Sequence, residues 1–429
     1  MQTERVDPSK DFPIVSWGLP FPEACVKHMS DTLHTSKAYI IVSGSLSRNT
    51  DALQRLESAL GGDRVVGVRK GMTPHTLYSE LLTVAEDVKR SGADCIVTLG
   101  GGSLIDGAKG MVFVSQAIHI LSSDRNSRSA DYYIEGFDIF LKKSVQLRLD
   151  RLADPNTPTE LKPAVMPVIS ITTTLSAGEY NPAGGATNDN TRHKQLFQPP
   201  ASPGPKVIIW DPELTLTVPE KVWLSTGLRA VDHCVETICS SNPKPKGTVY
   251  STKGLRLLIP ALLRTKQDPA DLDARLNAQK GGAESMKAHL LEGVHAGGSH
   301  GIGHQLGPYG VPHAETTCVL LPAVQKFNAR VNAAQQAELV TILWDDPIVA
   351  SVLEKHSLTR EIGDLGDVLD AIIRELGFPR TLKEYGIGRE NLDKVAESSL
   401  GDICCTWNAI SLVKKEQVLE ILEMCVGDE

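Results

Sequence analysis

The chain has no long run of charge of one sign, no long apolar run and no CxxC pair. Its net charge is −8 over 429 residues, so neither a nucleic acid nor a membrane surface has electrostatic support as a partner. No stretch reaches the roughly 18 apolar residues of a membrane span, and the polar N-terminus lacks the apolar region of a leader peptide. The eight cysteines are interpreted as buried free thiols. We therefore expect a cytoplasmic protein with a small-molecule partner.

The spacing of apolar residues along the sequence changes near residue 212. Before it, short apolar runs alternate with segments of helical period, which predicts a parallel sheet covered by helices. The predicted strands are AYIIV (38–42), RVVGV (64–68), DCIVTLG (94–100), VMPVISI (165–171) and KVIIW (206–210). After residue 212, long segments of helical period dominate and strand signals are few. We expect an α/β domain over 1–212 and an all-helical domain over 213–429.

A glycine-rich turn follows the third predicted strand, in TLGGGSLIDGAKG (98–110). Glycines let a backbone approach a ligand, and the N-terminus of the next helix offers free N–H groups and a positive dipole to a phosphate. The turn lacks the GxGxxG spacing of the Rossmann fingerprint. Taken alone, it is either a pyrophosphate site or a tight connection.

A loop rich in small and hydroxyl residues follows the next strand, in ISITTTLSAGEYNPAGGATND (169–189). It supplies hydroxyl groups and accessible backbone at the carboxyl end of a strand, where open α/β sheets bind ligands. Alone it also fits a surface Ω-loop. Its pairing with the glycine turn favours a ligand site.

Histidines are dense in SHGIGHQLGPYGVPHAETTCVLLP (299–322), which contains His300, His304 and His313. The first two are spaced i and i+4, on one face of a helix, and the third follows a Gly/Pro turn. The pattern fits a metal site, a proton-handling site or structural histidines.

Together these motifs resemble the iron-containing alcohol dehydrogenase family. GGGSLIDGAK resembles its GGGSxxDxAK signature, and HCVE with HGIGHQLGPYGVPHA resembles the signature of its second domain. The resemblance implies an N-terminal α/β domain that binds NADPH or NADH, a helical domain that supplies metal ligands, and a substrate in the cleft between them, an architecture shared with dehydroquinate synthase. The cofactor contacts that it implies come from Gly100, Gly101, Gly102, Ser103, Asp106, Lys109, Thr172, Thr173 and Leu175.

The sequence departs from that family at the metal site. The usual ligands are an aspartate, a histidine one helical turn later and two further histidines. The matching positions here hold Arg229, His233, His300 and His313. The maleylacetate reductases commonly lack the acid, and the chain also resembles them in PHAETT (312–317). They reduce an unsaturated oxo-diacid without needing a metal, so we expect that this chain requires no metal either.

Reduction of a ketone needs a hydride donor, an electrophile at the carbonyl oxygen and a proton source. Without a metal, the guanidinium of Arg229 and protonated histidines are expected to polarise the oxygen, and the guanidinium is expected to hold a substrate carboxylate. The candidate catalytic residues are Arg229, His233, His300, His304 and His313. The alternative role of Arg229 is a salt bridge to Asp232, at i+3.

The favoured function is NAD(P)H-dependent reduction of a ketone or oxoacid by a homodimer. Three alternatives stay open: an alcohol dehydrogenase that depends on iron or zinc, a binding protein that kept the fold, and a lyase of the dehydroquinate synthase type. For the cofactor, Ser43 and Ser45 stand where NAD-selective members of the family often carry aspartate. Nothing there repels a 2′-phosphate and Arg48 attracts it, so NADPH is expected to serve at least as well as NADH.

Overall fold

The computed structural model describes residues 1–73, 76–121, 166–191, 194–197 and 204–427. The chain forms two compact units. The first consists of Met1–Thr173 and Ala177–Thr217, and the second of Thr174–Ser176 and Val218–Glu429.

The first unit is built on a seven-stranded sheet, with a separate two-stranded antiparallel pair. Its strands are β1 (Gln2–Arg5), β2 (Ile14–Trp17), β3 (Ala38–Val42), β4 (Val65–Lys70), β5 (Cys95–Gly100), β6 (Val168–Thr172), β7 (Gly184–Thr187), β8 (Lys194–Phe197) and β9 (Val207–Trp210). The large sheet has the order β1-β2-β9-β6-β5-β3-β4. β1 is antiparallel to β2, and every other neighbouring pair is parallel. The five predicted strands are confirmed, although Val165 lies outside the described residues.

Helices cover this sheet because its inner strands are apolar on both faces. Alternate residues of a strand point to opposite faces. Tyr39 and Ile41 of β3 therefore pack in one apolar core, and Ile40 and Val42 pack in another. The helices are α1 (Phe21–Lys27), α2 (Gly44–Asn49), α3 (Ala52–Leu60), α4 (Tyr78–Ser91), α5 (Gly102–Leu121) and α6 (Pro212–Thr215).

The order of strands reverses at β3, which lies between β4 and β5. The chain passes from β3 to β4 on one side and then returns to place β5 on the other. Such a switch point leaves a crevice at the carboxyl ends of the two diverging strands, where open α/β sheets bind ligands. The loops after β3 and β5 both end there, and the backbone N–H of Ser43 donates to the carbonyl of Leu99 at 2.9 Å.

Every regular element of the second unit within residues 218–427 is a helix. Its α-helices are α7 (Glu220–Ile238), α8 (Pro245–Gln267), α9 (Leu272–Glu292), α10 (Gly298–His304), α11 (Thr316–Trp344), α12 (Pro347–Lys355), α13 (Leu365–Glu375), α14 (Leu392–Ser399), α15 (Ile403–Trp407) and α16 (Lys415–Cys425). The predicted fold class, a parallel-sheet α/β region followed by a helical region, is confirmed.

The structure also bears on the predictions about the cysteines and about membrane spans. All eight cysteines are free thiols and seven are buried, as predicted, whereas Cys404 is partly exposed. Among the described residues, no helix combines the length and the apolar character that crossing a membrane requires.

Candidate active-site residues in the two units

The glycine turn after β5 is shaped by a position that only glycine fits. Gly100 has φ +150°, and a Cβ built on it would lie 2.5 Å from Leu104 Cδ1 and 3.0 Å from Ser43 Cβ. The carbonyl of Gly100 also accepts the backbone N–H of Thr173, at 3.2 Å. The turn, Ser43 and the start of the threonine-rich loop thus lie together, as a cofactor site at the switch point requires.

Helix α5 begins within this turn, at Gly102. No acidic residue lies in its first turn, so the partial positive charge of the helix N-terminus is not neutralised there. Unpaired backbone N–H groups at such an end suit a phosphate oxygen. The predicted contact of Gly101, Gly102 and Ser103 with a pyrophosphate is compatible with this helix start and stays a prediction.

Lys109 is engaged by oxygens of its own chain, and its predicted contact with the cofactor stays a prediction. Its Nζ lies 2.7 Å from Asp106 Oδ1. It also donates to the carbonyls of Gly178, Asn181 and Ala183, at 3.0, 3.1 and 2.5 Å. An ammonium group has three N–H bonds, so these four oxygens use its donor capacity. Lys109 ties α5 to the threonine-rich loop and thereby positions that loop.

Sequence reasoning missed Glu179, which lies in the same loop. It is 3% exposed, and burial raises its pKa to about 7, with the nearby charge of Asp106 acting in the same direction and that of Lys109 against it. Glu179 directly follows Gly178, whose carbonyl accepts from Lys109, so this buried acid is part of the packing that holds the loop in place. Its signal in the sequence was faint, because one glutamate among small residues fits any exposed loop.

Leu175 does not lie with the other predicted cofactor residues in the first unit. It belongs to the second unit, where its backbone N–H donates to Thr226 Oγ1 at 3.2 Å. Its side chain packs close to Gly227. A cofactor contact from Leu175 stays a prediction.

In the second unit, α7 carries four charged or imidazole side chains on one face of its middle and last turns. They are Arg229, Asp232, His233 and Glu236, at helical positions i, i+3, i+4 and i+7. With Ser299 and His300 of α10 and Thr317 of α11, these residues form what we call the buried polar cluster. Positions three, four and seven apart share a helix face, and that explains how one helix supplies four of its members.

Arg229 is anchored inside this cluster through one of its terminal nitrogens. Nη1 donates to Thr317 Oγ1 at 2.9 Å and lies 3.4 Å from Asp232 Oδ2. Thr317 Oγ1 in turn donates to Asp232 Oδ2 at 2.6 Å. The proposed alternative partner, Asp232, is therefore in contact with Arg229, and the guanidinium faces the polar interior rather than solvent.

Glu236 holds the loop that leads into α10. Its Oε2 accepts the backbone N–H of Gly297 at 2.6 Å and its Oε1 that of Ser299 at 2.8 Å. Oε2 also lies 2.7 Å from His300 Nδ1. Glu236 therefore fixes the ring of His300 and directs its Nε2 away from the carboxylate.

The imidazoles of the cluster are packed against one another. His233 and His300 stack at 4.7 Å between ring centroids, and His289, which the sequence did not suggest, meets His233 edge-on at 5.3 Å. Within the described residues, His233 Nδ1, His289 Nε2 and His300 Nε2 are buried without a hydrogen-bond partner. Three ring nitrogens are thus available for a ligand.

Burial decides the charges of this cluster. It lowers the pKa of His233 and of His300 well below the usual range, and Arg229 acts in the same direction on both. Burial also raises the pKa of Glu236 well above its usual range, helped by the charge of Asp232. These directions favour neutral imidazoles at His233 and His300 over the protonated ones expected from the sequence, with Arg229 as the positive group of the cluster. The role of the two histidines in catalysis stays a prediction.

His304 and His313 form a second pair of imidazoles, close enough for His313 to act electrostatically on His233 and for His304 to act on His300. Their rings stack at 5.7 Å, and His304 Nδ1 contacts Asp402 Oδ2 at 2.8 Å. The side chain of His304 is 38% exposed. A half-exposed imidazole that is oriented by a carboxylate can exchange a proton with solvent.

The residues at the four family positions do not fit an iron site. An arginine offers no ligand atom, and its charge opposes a cation. Among the described residues, the side chains close enough to share one ion are two other sets, Asp232 with Glu236 and His300, and His304 with Asp402 and Cys404. In the first of these sets Glu236 is engaged by the backbone before and within α10, and Asp232 Oδ2 by two hydroxyls and Arg229, whereas Asp232 Oδ1 has no hydrogen-bond partner among the described residues.

Comparison with known proteins identifies the family. Two family models match the chain, "Iron-containing alcohol dehydrogenase" over residues 20–212 and "Fe-containing alcohol dehydrogenase family, C-terminal" over 223–426. Dehydrogenase FUM7 of Gibberella moniliformis is 35% identical over an alignment of 433 positions that covers 96% of each chain. Maleylacetate reductase of Burkholderia cepacia is 25% identical over 86% of this chain and 84% of its own. The crystal structure of maleylacetate reductase from Rhizobium sp. strain MTP-10005 has a TM-score of 0.69 at 24% identity, covering 96% of this chain and 95% of that one. The chain belongs to the iron-containing alcohol dehydrogenase family of oxidoreductases, in which it resembles the maleylacetate reductases.

Proposed function

We propose that the protein is an NAD(P)H-dependent reductase of a carboxylated ketone or oxoacid and that it needs no metal. The observation that carries the proposal is Arg229, a buried guanidinium fixed at the position where the family places an acidic metal ligand. The similarity to proteins named maleylacetate reductase supports a carboxylated substrate.

Each unit supplies one part of the chemistry. The glycine turn and the N-terminus of α5 offer backbone donors for the pyrophosphate of the nicotinamide cofactor, which supplies the hydride when bound. In the second unit, Arg229 supplies the positive charge that stabilises the developing alkoxide or holds a carboxylate. The unpartnered Nε2 of His300 is a second group for the carbonyl oxygen: it is an N–H donor when Glu236, whose pKa burial raises, keeps its proton and donates it to His300 Nδ1. His304, paired with Asp402, delivers the proton.

The cofactor preference follows from the end of β3. Ser43 and Ser45 hydrogen-bond to each other at 2.9 Å, and neither repels a 2′-phosphate as an acid would. The side chain of Arg48 folds back toward Gly44, so that its Nη1 would lie 3.1 Å from a Cβ built on Gly44. We therefore expect NADPH to be used at least as well as NADH. The homodimer, the cytoplasmic location and the meeting of both sites in one cleft stay predictions.

The test is turnover by chelator-treated protein on matched substrates, a set of oxoacids and their methyl esters, with NADPH and with NADH. We expect oxidation of the cofactor without added metal and preference for the acids. In Arg229→Met, which keeps length but removes charge, KM for the acids should rise at least about tenfold, because a charge-assisted hydrogen bond contributes about 1.5–3 kcal/mol.

The esters serve as the internal control, since they lack the carboxylate that Arg229 is proposed to hold. Activity that disappears with chelation and returns with iron or zinc would instead favour a metal-dependent alcohol dehydrogenase. Absence of cofactor binding would favour a binding protein that kept the fold.

A further inference from the structure

We propose that His304, Asp402 and Cys404 form a site for a zinc-class divalent ion, and that an ion bound there inhibits the enzyme by occupying the imidazole of His304. The inhibition rests on the proposed function, whereas the binding does not. The four positions that hold the metal ligands in the family carry Arg229, His233, His300 and His313 here, so none of the three residues is among them.

The geometry of the three side chains suits such an ion. One ligand atom from each lies within 4.8 Å of the other two, and His304 Nδ1 and Asp402 Oδ2 are already 2.8 Å apart. Ligand atoms in a tetrahedral zinc site stand roughly 3.3–3.8 Å apart, given bonds of about 2.0–2.3 Å. Small side-chain rotations therefore suffice. A set of one nitrogen, one oxygen and one sulfur selects zinc and cadmium over magnesium and calcium.

The backbone holds the ligands in place before any ion arrives. Asp402 caps the N-terminus of α15, where its Oδ1 accepts the backbone N–H of Cys404 at 2.9 Å. The next residue, Cys405, packs so closely on α10 that a Cβ on Gly301 would lie 2.5 Å from Cys405 Sγ. The two helices that carry the ligands are thus fixed against each other, and preorganised ligands lower the cost of binding.

Exposure and charge also favour a cation from solution. His304 is 38% exposed at its side chain, and Cys404 is the partly exposed cysteine among eight. Asp402 and Glu236 place negative charge near Cys404, and Arg229 opposes it with one positive charge. A dication that binds the sulfur directly displaces the thiol proton.

The binding test uses the full chain after chelation, titrated with Cd²⁺ and followed by the thiolate-to-cadmium absorption in the ultraviolet. Wild type should bind one equivalent with that absorption, and Zn²⁺ should compete for it. Cys404→Ser should lose the absorption and weaken Zn²⁺ at least about 100-fold, because it removes the sulfur ligand. The control is Cys425→Ser, which removes one thiol at a buried position outside the proposed site and should behave like wild type. Absorption that persists in Cys404→Ser overturns the site.

The second measurement is Zn²⁺ inhibition of NADPH oxidation. Half-inhibition of Cys404→Ser and of Asp402→Asn should need at least about tenfold more Zn²⁺ than that of wild type. Binding that survives in Cys404→Ser but is lost in His233→Ala places the ion at the buried imidazoles and overturns the proposal. If the ion binds in a Cys404-dependent way but the protein turns over no substrate, the proposed function is rejected and the metal site stands. If the protein turns over substrate but binds no ion through Cys404, the metal site is rejected and the proposed function stands.

Discussion

Glu179 shows how one buried acid makes stability depend on pH. Its pKa is raised from 4.5 to about 7, chiefly by burial, so the folded chain keeps the proton over a range in which the unfolded chain has lost it. Below about pH 4.5 both states hold the proton, and the residue costs nothing. As pH rises toward 7 the folded state loses stability relative to the unfolded state, and above 7 the full cost remains.

The variant Glu179→Gln removes that titration. Its free energy of unfolding relative to wild type should rise between pH 5 and pH 8, by up to about 3 kcal/mol, since one pKa unit corresponds to about 1.4 kcal/mol. Urea unfolding at the two pH values measures the difference. Glu86→Gln, at an exposed position of α4, is the control and should follow wild type. Equal differences from wild type at both pH values would show that Glu179 ionises normally.

At the scale of elements, the turn after β5 carries most of the constraint on the cofactor site. Gly100→Ala should lower the free energy of unfolding by about 2 kcal/mol, because the new methyl would meet Leu104 and Ser43 at a backbone angle that favours glycine. It should also weaken NADPH binding, measured by fluorescence titration. Gly62→Ala is the control, since an added Cβ there meets nothing within 4 Å. If both variants bind NADPH like wild type, the turn does not shape the cofactor site.

The strands were predictable and the polar contacts were not, for a physical reason. Buried parallel strands are continuous apolar runs, so AYIIV and KVIIW identify themselves as β3 and β9. Helical spacing likewise predicted that Arg229 and His233 share a face of α7. The partners that set chemistry come from distant segments, however: Glu236 meets His300, and His304 meets Asp402, 98 residues away. Local spacing carries no information on such pairs.

At the scale of the whole molecule, Arg229 balances charge that the fold has buried. Asp232 and Glu236 lie with it inside the second unit, 0% and 5% exposed, and isolated buried charges are strongly destabilising. A divalent ion about 4 Å from this guanidinium would be repelled by roughly 8 kcal/mol at an effective dielectric of about 20. The arginine therefore disfavours an ion at that distance.

Replacing Arg229 with an acidic metal ligand should change the melting temperature of the whole molecule. Arg229→Asp adds a third carboxyl beside Asp232 and Glu236 and removes their counter-charge, so the metal-free variant should unfold at a lower temperature than wild type. Zn²⁺ should then raise its Tm on the order of 5 °C at saturating concentration, because a ligand that binds only the folded state stabilises it by mass action. The comparison is made in a Cys404→Ser background, to remove the other proposed site, with Arg229→Asn as the control of equal size without ligand charge. If Zn²⁺ raises the Tm of both variants equally, the introduced carboxylate binds no ion, and Arg229 does not occupy the place of the metal.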